Sequence, residues 1–387
     1  MSITFRCDPP RIGLTAHLNT DVAASQVGYN PGNLAFGYAT AMLLGFPYNT
    51  HFMGEIASTE KTGVYACANL LGNHYDPTIF TNFINAARDD WRMALIGLGA
   101  QGPLDRLADD ANELTLNASQ IEWLTAVTKR AQPNAPNITV RGEFTYGVLK
   151  KYGFEKNAIV TGCPSLMLSP VKTLGHKIAE KFSTIGHAPL IDGALGNPWD
   201  PRHSAFEKNL LKLVIDSGGV SHVQMDNKHL ALARHENLSD IELSELRAQL
   251  SPQTSLEDMR NFGRKHLRAW LDLPSWMEHL RRVDFVFGSR IHGITLALQS
   301  GTPALCAAWD SRTLELCRAM NIPHISIYDE PWISGNFSFE HIKEAFAQQF
   351  NPATFDALRK NRAQQFIDFF TTNNVSYSRH LIDLAAN

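Results

Sequence analysis

Arg290 and His292 stand one residue apart in the string Gly-Ser-Arg-Ile-His-Gly, directly after the apolar run Val283 to Phe287. A short run rich in β-branched and aromatic residues reads as a buried strand. Arg290 to Gln299 then carries apolar residues at helical spacing, and Ser289 is a good N-cap for it. The arginine and the histidine therefore fall in the opening turn of a helix. Unpaired backbone N–H groups and the helix dipole favour anions there, and Gly293 lets a ligand come close. Arginine adds a fork of donors suited to carboxylate or phosphate. Histidine adds a group that exchanges a proton near neutral pH. The same residues also serve as plain caps or solvated charges, so chemistry alone leaves both uses open.

The elements around them repeat the pattern. Gly301 and Pro303 stop the helix, and Ala304 to Ala308 reads as a second buried strand. Asp310 can cap a following helix through Leu314 and Leu316, which puts Asp310 and Arg312 at the equivalent turn of the next unit. Strand–turn–helix twice over is the building block of a parallel sheet. The two turns then share one sheet edge.

Upstream, Val27 to Asn33 is loop chemistry before a helix from Leu34 to Leu44, and Asn30, Gly32 and Asn33 are candidates to hold an anion or a sugar hydroxyl. A tight turn before a core helix is the plain alternative. Asn73 and His74 fall in another polar loop. Met93 to Ile96 is a strand ending in Gly97-Leu98-Gly99-Ala100-Gln101-Gly102. That string matches G-x-G-x-x-G, but Pro103 follows where a dinucleotide site needs a helix. Gly99 and Gln101 are therefore read as lining a cleft. Arg141 emerges from the strand Ile138 to Val140, at the end where open parallel sheets bind ligands. Cys163 reads as packing. His222, His229 and His235 share no ligand spacing with nearby carboxylates, so no metal is assigned.

The other expected elements are a helix over Ser119 to Gln132 with Ser119 as cap and Glu122 in a capping box, and a helix over Phe144 to Tyr152. Val171 to Ala188 is the expected crossover. Val220 to Met225 reads as a strand, Leu238 to Trp270 as a charged helical excursion, and Ser275 to Arg282 as the helix before the Arg290 unit. Two helices, Ser338 to Phe350 and Ala353 to Phe370, close the chain.

At 387 residues, two domains are the default. A net charge of −3 without a basic tail argues against nucleic-acid binding. Five scattered cysteines without a C-x-x-C pair point to reduced thiols and a cytoplasmic setting. No secretory h-region and no apolar run long enough to span a bilayer is present.

The strings around Arg290 and Asp310, with Gly-Thr-Pro between them, resemble the C-terminal signature of the polysaccharide pyruvyl transferase family. That family carries an Arg-Leu-His or Arg-Phe-His type triplet followed by an Asp-x-Lys turn. Here Ile291 takes the middle place, and Arg312 stands for the lysine. The Gly/Asn loop, the Gly-x-Gly-x-Gln-Gly element, Arg141-Gly142 and Thr161-Gly162-Cys163-Pro164 are similar to further family motifs. Asn33 stands where an acidic residue is common, and Cys163 where aspartate is common.

The resemblance implies an α/β fold of two Rossmann-like domains facing a cleft, GT-B-like. We expect an N-terminal domain over 1–175 on the acceptor side, a C-terminal domain over 176–350 on the phosphoenolpyruvate side, and helices over 351–387 packing back. It implies transfer of pyruvate from phosphoenolpyruvate onto two hydroxyls of a sugar, forming a ketal, with no cofactor besides that donor. The acceptor is a surface glycan or its lipid-linked precursor, met from the inner membrane face if lipid-linked. His292 moves the proton; Arg290 and Arg141 hold phosphate and carboxylate, with the helix N-terminus at Ser289 to His292 assisting, Gly293 beside it, and Arg312 a third cation. A glycosyltransferase using a nucleotide sugar is the alternative, and a non-catalytic glycan- or metabolite-binding protein is a third reading.

Overall fold

The computed structural model describes residues 4–7, 18–45, 61–72, 75–196, 198 and 200–386. Asn73 and His74 lie outside these. Two parallel sheets organise the described residues, with six strands each. The first contains β1 (Thr4–Cys7), β2 (Thr62–Ala66), β3 (Asn69–Leu71), β4 (Arg92–Ala100), β5 (Ile138–Val140) and β6 (Ala158–Val160). Its order is β1-β2-β4-β5-β6, with β3 on the end of β4. The helices around it are α1 (Thr20–Gln26), α2 (Asn33–Leu43), α3 (Thr78–Ala86), α4 (Ala118–Thr128) and α5 (Glu143–Lys151).

β4 is the spine of this half. Eight of its nine residues are buried, as expected for a strand covered on both faces. It runs four residues past the expected end, through both glycines, because Gly97 takes a positive φ of 70° and its pairing with β5 shifts register there. Leu98 still pairs with Val140 beyond this bulge, while Gly97 N–H donates to Thr139 Oγ1 at 2.7 Å.

The chain then crosses through α6 (Leu174–Ser183) into the second sheet. Its strands are β7 (Ile191–Ala194), β8 (Ser221–His222), β9 (Leu267–Arg268), β10 (Phe285–Gly288), β11 (Ala304–Ala308) and β12 (His324–Ser326). They run in the order β12-β11-β10-β7-β8-β9. The connecting helices are α7 (Ser204–Asp216), α8 (Asn227–Ala233), α9 (Asp240–Leu250), α10 (Leu256–His266), α11 (Leu273–Leu280), α12 (Ile291–Gln299) and α13 (Ser311–Met320). The α/β fold with parallel sheets expected from the sequence is what the chain adopts.

One apolar cluster joins the halves. It takes Val64, Ala66, Ala94 and Ile96 from the first sheet and Val286, Phe287, Leu305 and Cys306 from the second, with residues of α2 and α12 between. The chain ends in α14 (Phe339–Gln349), α15 (Pro352–Thr372) and α16 (Arg379–Ala385), the last of which the sequence reading did not anticipate. α15 ties the halves together by a buried and a half-buried arginine. Arg359 donates to the carbonyls of Leu166, Ser169 and Val171, and Arg362 to those of Val160 and Ala319.

Two expected caps are corrected. The capping box of α4 is formed by Asn117 and Gln120, two residues before the expected Ser119 and Glu122. At α12 the cap position belongs to Arg290, not Ser289. The Ser289 hydroxyl donates instead to Glu207 Oε1 at 2.6 Å, a buried partner distant in sequence. The strand expected over Val220 to Met225 forms a ladder only at Ser221–His222, since the chain turns at Asp226 to cap α8.

Candidate active site

The residues that sequence reading singled out come together where β4 and β5 of one sheet approach β10 and β11 of the other. Each strand delivers them at its C-terminal end. β10 delivers Arg290 and His292, β11 delivers Asp310 and Arg312, β4 delivers Gly99 and Gln101, and β5 delivers Arg141.

His292 is 6% exposed. Its Nε2 lies 3.9 Å from Cys163 Sγ, and its ring sits 5.8 Å from that of Phe36. On the same phenyl ring, the Arg141 guanidinium carbon stands 5.4 Å from the centroid. Phe36 thus bridges imidazole and guanidinium, a cation–π contact on one side and an aromatic contact on the other. Burial holds the His292 imidazole well below its ordinary value, and the charges of Arg141 and Arg312 add to that. It is neutral at neutral pH.

Arg141 is 2% exposed. Its guanidinium donates to Gly97 O at 2.9 Å, Asn69 Oδ1 at 2.6 Å and Cys67 O at 3.1 Å. The sequence reading gave it a direct hold on an anion. In the structure these three acceptors already hold it, so its charge reaches the site while those donors are committed inside. Burial lowers its own pKa.

Arg290 is part-buried, in extended backbone at the cap position. Burial brings it down to about 10, helped by the like charge of Arg312 and opposed by Glu207, Asp310 and Asp226. Arg312 lies over Trp309, 5.7 Å from the ring centroid, with Nε 3.4 Å from Asp310 Oδ2. Two arginines whose like charges act on each other, Arg312 acting also on the imidazole of His292, in a low-dielectric setting, form a place that a small polyanion stabilises.

Asp310 is the joint between the halves. Oδ1 accepts from Thr313 N–H at 2.8 Å, the cap expected from the sequence. Oδ2 accepts from Gln101 Nε2 at 3.1 Å, and Gly102 N–H donates to Ser311 Oγ at 2.9 Å. The glycine-rich loop after β4 is thereby fastened to the first turn of α13. Gly99 packs against Arg141, where a Cβ would come within 2.8 Å of Cδ.

The Val27–Asn33 loop reaches the site at Gly32. A Cβ there would meet the His292 Cβ at 3.2 Å and the Gln224 Oε1 at 2.5 Å, so only glycine fits. Asn30 and Asn33 shape the loop: Asn30 Oδ1 accepts from Gly32 N–H at 2.9 Å, and Asn33 Nδ2 donates to Val27 O at 3.1 Å. Gly293 faces Gln224 from the other side. Asn73 lies outside the described residues.

Sequence reasoning missed Gln224, Glu207, Phe36 and Glu315. Glu315 on α13 accepts from Thr145 N–H at 2.9 Å and Thr145 Oγ1 at 2.7 Å on α5, and burial is the main cause that pushes it up to about 7. All four act through partners far along the chain, and no local pattern marks them.

Among the described residues, Asp192, His222 and His279 are the group close enough to share a metal ion. Their hydrogen bonds assign another role. Trp270 Nε1–H donates to His222 Nδ1 at 2.6 Å, so the neutral ring carries its proton on Nε2, which lies 3.0 Å from Asp192 Oδ2. His279 Nε2 is 2.6 Å from the same oxygen. A metal-bound histidine needs its ligating nitrogen unprotonated and its other nitrogen as donor, the reverse of His222 here. Burial would raise the Asp192 carboxyl, but the two imidazoles outweigh it and hold it well below the carboxylate range.

Residues 122–311 match the family model of polysaccharide pyruvyl transferase. The matched stretch holds Arg141, Cys163, Arg290, His292 and Asp310. It bears out the resemblance read from the sequence and supports a transferase of polysaccharide biosynthesis. No curated protein matches the chain. Among solved structures, Staphylococcus aureus MnaA in complex with UDP is similar at 10% identity and TM-score 0.44, over 97% of this chain and 99% of that one. The UDP-GlcNAc 2-epimerase of Methanocaldococcus jannaschii is similar at 10% and 0.41, over 90% and 92%. Anabaena HepE in complex with UDP is similar at 12% and 0.41, over 96% and 100%. Likenesses this loose say nothing of ligand or reaction. Among the described residues no helix is long and apolar enough to cross a membrane.

Proposed function

We propose that this protein transfers the pyruvyl group of phosphoenolpyruvate to two hydroxyls of a sugar, giving a cyclic ketal and inorganic phosphate. One observation carries the reading: a buried, neutral imidazole, His292, beside a cluster of arginines, within the stretch that matches the family.

The reaction asks for a proton on the terminal carbon of the enol, attack of a sugar oxygen on the cation-like carbon, and departure of phosphate. Of the two protons that the hydroxyls give up, one is balanced by the new methyl group and one leaves with phosphate. Arg290 and Arg312 supply positive charge for the phosphate and carboxylate, in place before the barrier is reached. Arg141 adds charge from behind Phe36. Burial is the main cause that keeps His292 neutral, and the charges of Arg141 and Arg312 add to it. The negative charge of the bound donor offsets them, and the imidazole then takes up the proton it delivers.

The test is a pair of variants. Arg290→Ala loses phosphoenolpyruvate binding, measured by calorimetry. His292→Ala keeps binding and loses phosphate release in the presence of a confirmed acceptor. Full turnover in His292→Ala removes the proposed role.

A further inference from the structure

Glu207 is a carboxylate that the proposed chemistry leaves unused, and it is 1% exposed. A charged side chain is closed off to that degree only where partners hold it. It stands in the first turn of α7 and reaches the turns that follow two neighbouring strands of the second sheet, β7 and β10. Oε2 accepts from Gly196 N–H at 3.0 Å, just past the end of β7. Oε1 accepts from the Ser289 hydroxyl at 2.6 Å, between the end of β10 and Arg290.

The two turns touch each other directly. Ser289 N–H and Arg290 N–H both donate to Ala194 O, at 3.1 and 3.3 Å. A Cβ on Gly196 would run into both Ser289 Oγ and Glu207 Oε1, so glycine at that position leaves room for the bond between them. Ser289 is itself buried, so this hydroxyl and this carboxylate face each other inside the fold and not a ligand. A hydrogen bond to a carboxylate is among the stronger ones, more so away from water. The next residue is Arg290, part-buried and in extended backbone at the cap of α12. The negative charge of Glu207 also acts on the Arg290 guanidinium, in the direction that favours its charged form.

We propose that Glu207 is a positioning residue of the candidate site: through Ser289 it sets the turn from which Arg290 meets an anion. That the anion is phosphoenolpyruvate rests on the pyruvyl-transfer reading; the hold on the turn does not.

The sign of one substitution separates placement from charge. Glu207→Gln removes a negative charge near Arg290, which by itself tightens the binding of an anion. An amide also offers one acceptor oxygen where the carboxylate offers two, so it cannot keep both bonds, and lost placement weakens binding. Ser289→Ala breaks the same link without changing any charge. Calorimetric titration of the full chain with phosphoenolpyruvate, and with inorganic phosphate as a second probe, reads the outcome. Each variant should bind phosphoenolpyruvate about ten-fold more weakly than wild type, within the scale of a misplaced binding group. A second readout is the Nε–Hε resonance of Arg290 in arginine-labelled protein, assigned through Arg290→Ala. It should shift in both variants while that of Arg359, held by other carbonyls, stays in place. Thermal unfolding checks that each variant is folded; if Glu207→Gln is not, Ser289→Ala decides alone. Unchanged or tighter binding in either folded variant, or an Arg290 resonance that does not move, overturns the positioning role. A wild type that binds neither probe, with the Arg290 resonance shifted in the variants, keeps the positioning role and removes the donor reading.

Discussion

Replacing Cys163 by aspartate tests the electrostatics of the site. The thiol lies 3.9 Å from His292 Nε2, and both side chains are buried. A carboxylate at that separation attracts an imidazolium by about 4 kcal/mol at an effective dielectric near 20, which corresponds to roughly 3 pH units. Burying the new charge takes part of this back. The expected rise in the His292 pKa for Cys163→Asp is about 1–3 units, toward or past its ordinary value. The measurement is an NMR titration of the side chain in histidine-labelled protein, with the resonance assigned through His292→Ala. A pKa that stays put or falls means that burial and the charges of Arg141 and Arg312 do not govern this imidazole as described.

Other outcomes follow from the contacts between the halves. Glu315 is held at about 7, above the ordinary 4.5, so the folded protein binds the proton more tightly than the unfolded chain. Its contribution to stability is fully present below the ordinary carboxyl value and is lost as pH rises through about 7. Wild type should therefore lose ~2–3 kcal/mol between about pH 5 and about pH 8 that Glu315→Gln does not lose, read by denaturant titration. Equal losses in both proteins would count against the assignment. Arg359→Met strands the carbonyls of Leu166, Ser169 and Val171. At ~1–3 kcal/mol for each unsatisfied group, it should lower the thermal midpoint sharply, and a midpoint close to wild type would show that α15 does not clasp the fold. The exposed pair Arg318–Asp109 is the contrast: Arg318→Ala should cost less than ~1 kcal/mol in the same assay.

What could be read from the sequence was local. Ala304 to Ala308 is a strand at the expected bounds, and Asp310 caps the next helix, because an apolar run followed by a capping residue specifies both within a few positions. Asn117 and Ser119 are both good caps within one turn, and only the hydrogen bond from Gln120 N–H to Asn117 decides between them. Ser289 has the right side chain for a cap, yet a buried carboxylate 82 residues away claims its hydroxyl. The Asp192, His222 and His279 group escaped notice for the same reason. Its members come from a strand, a second strand and a helix, and their spacing along the chain carries no sign of their meeting. Arg141 was legible as a charge at a strand end. Its three internal acceptors come from β4 and from the loop and strand before it, a feature of tertiary placement alone.

Donor charge, met by Arg290 and Arg312, lets His292 acquire a proton. Calorimetric titration of the wild type with phosphoenolpyruvate at neutral pH, in buffers of differing ionisation enthalpy, measures this directly. Binding is expected with uptake of a substantial fraction of one proton, with uptake lost in His292→Ala and binding lost in Arg290→Ala. No binding, or binding whose heat is the same in every buffer, would contradict it.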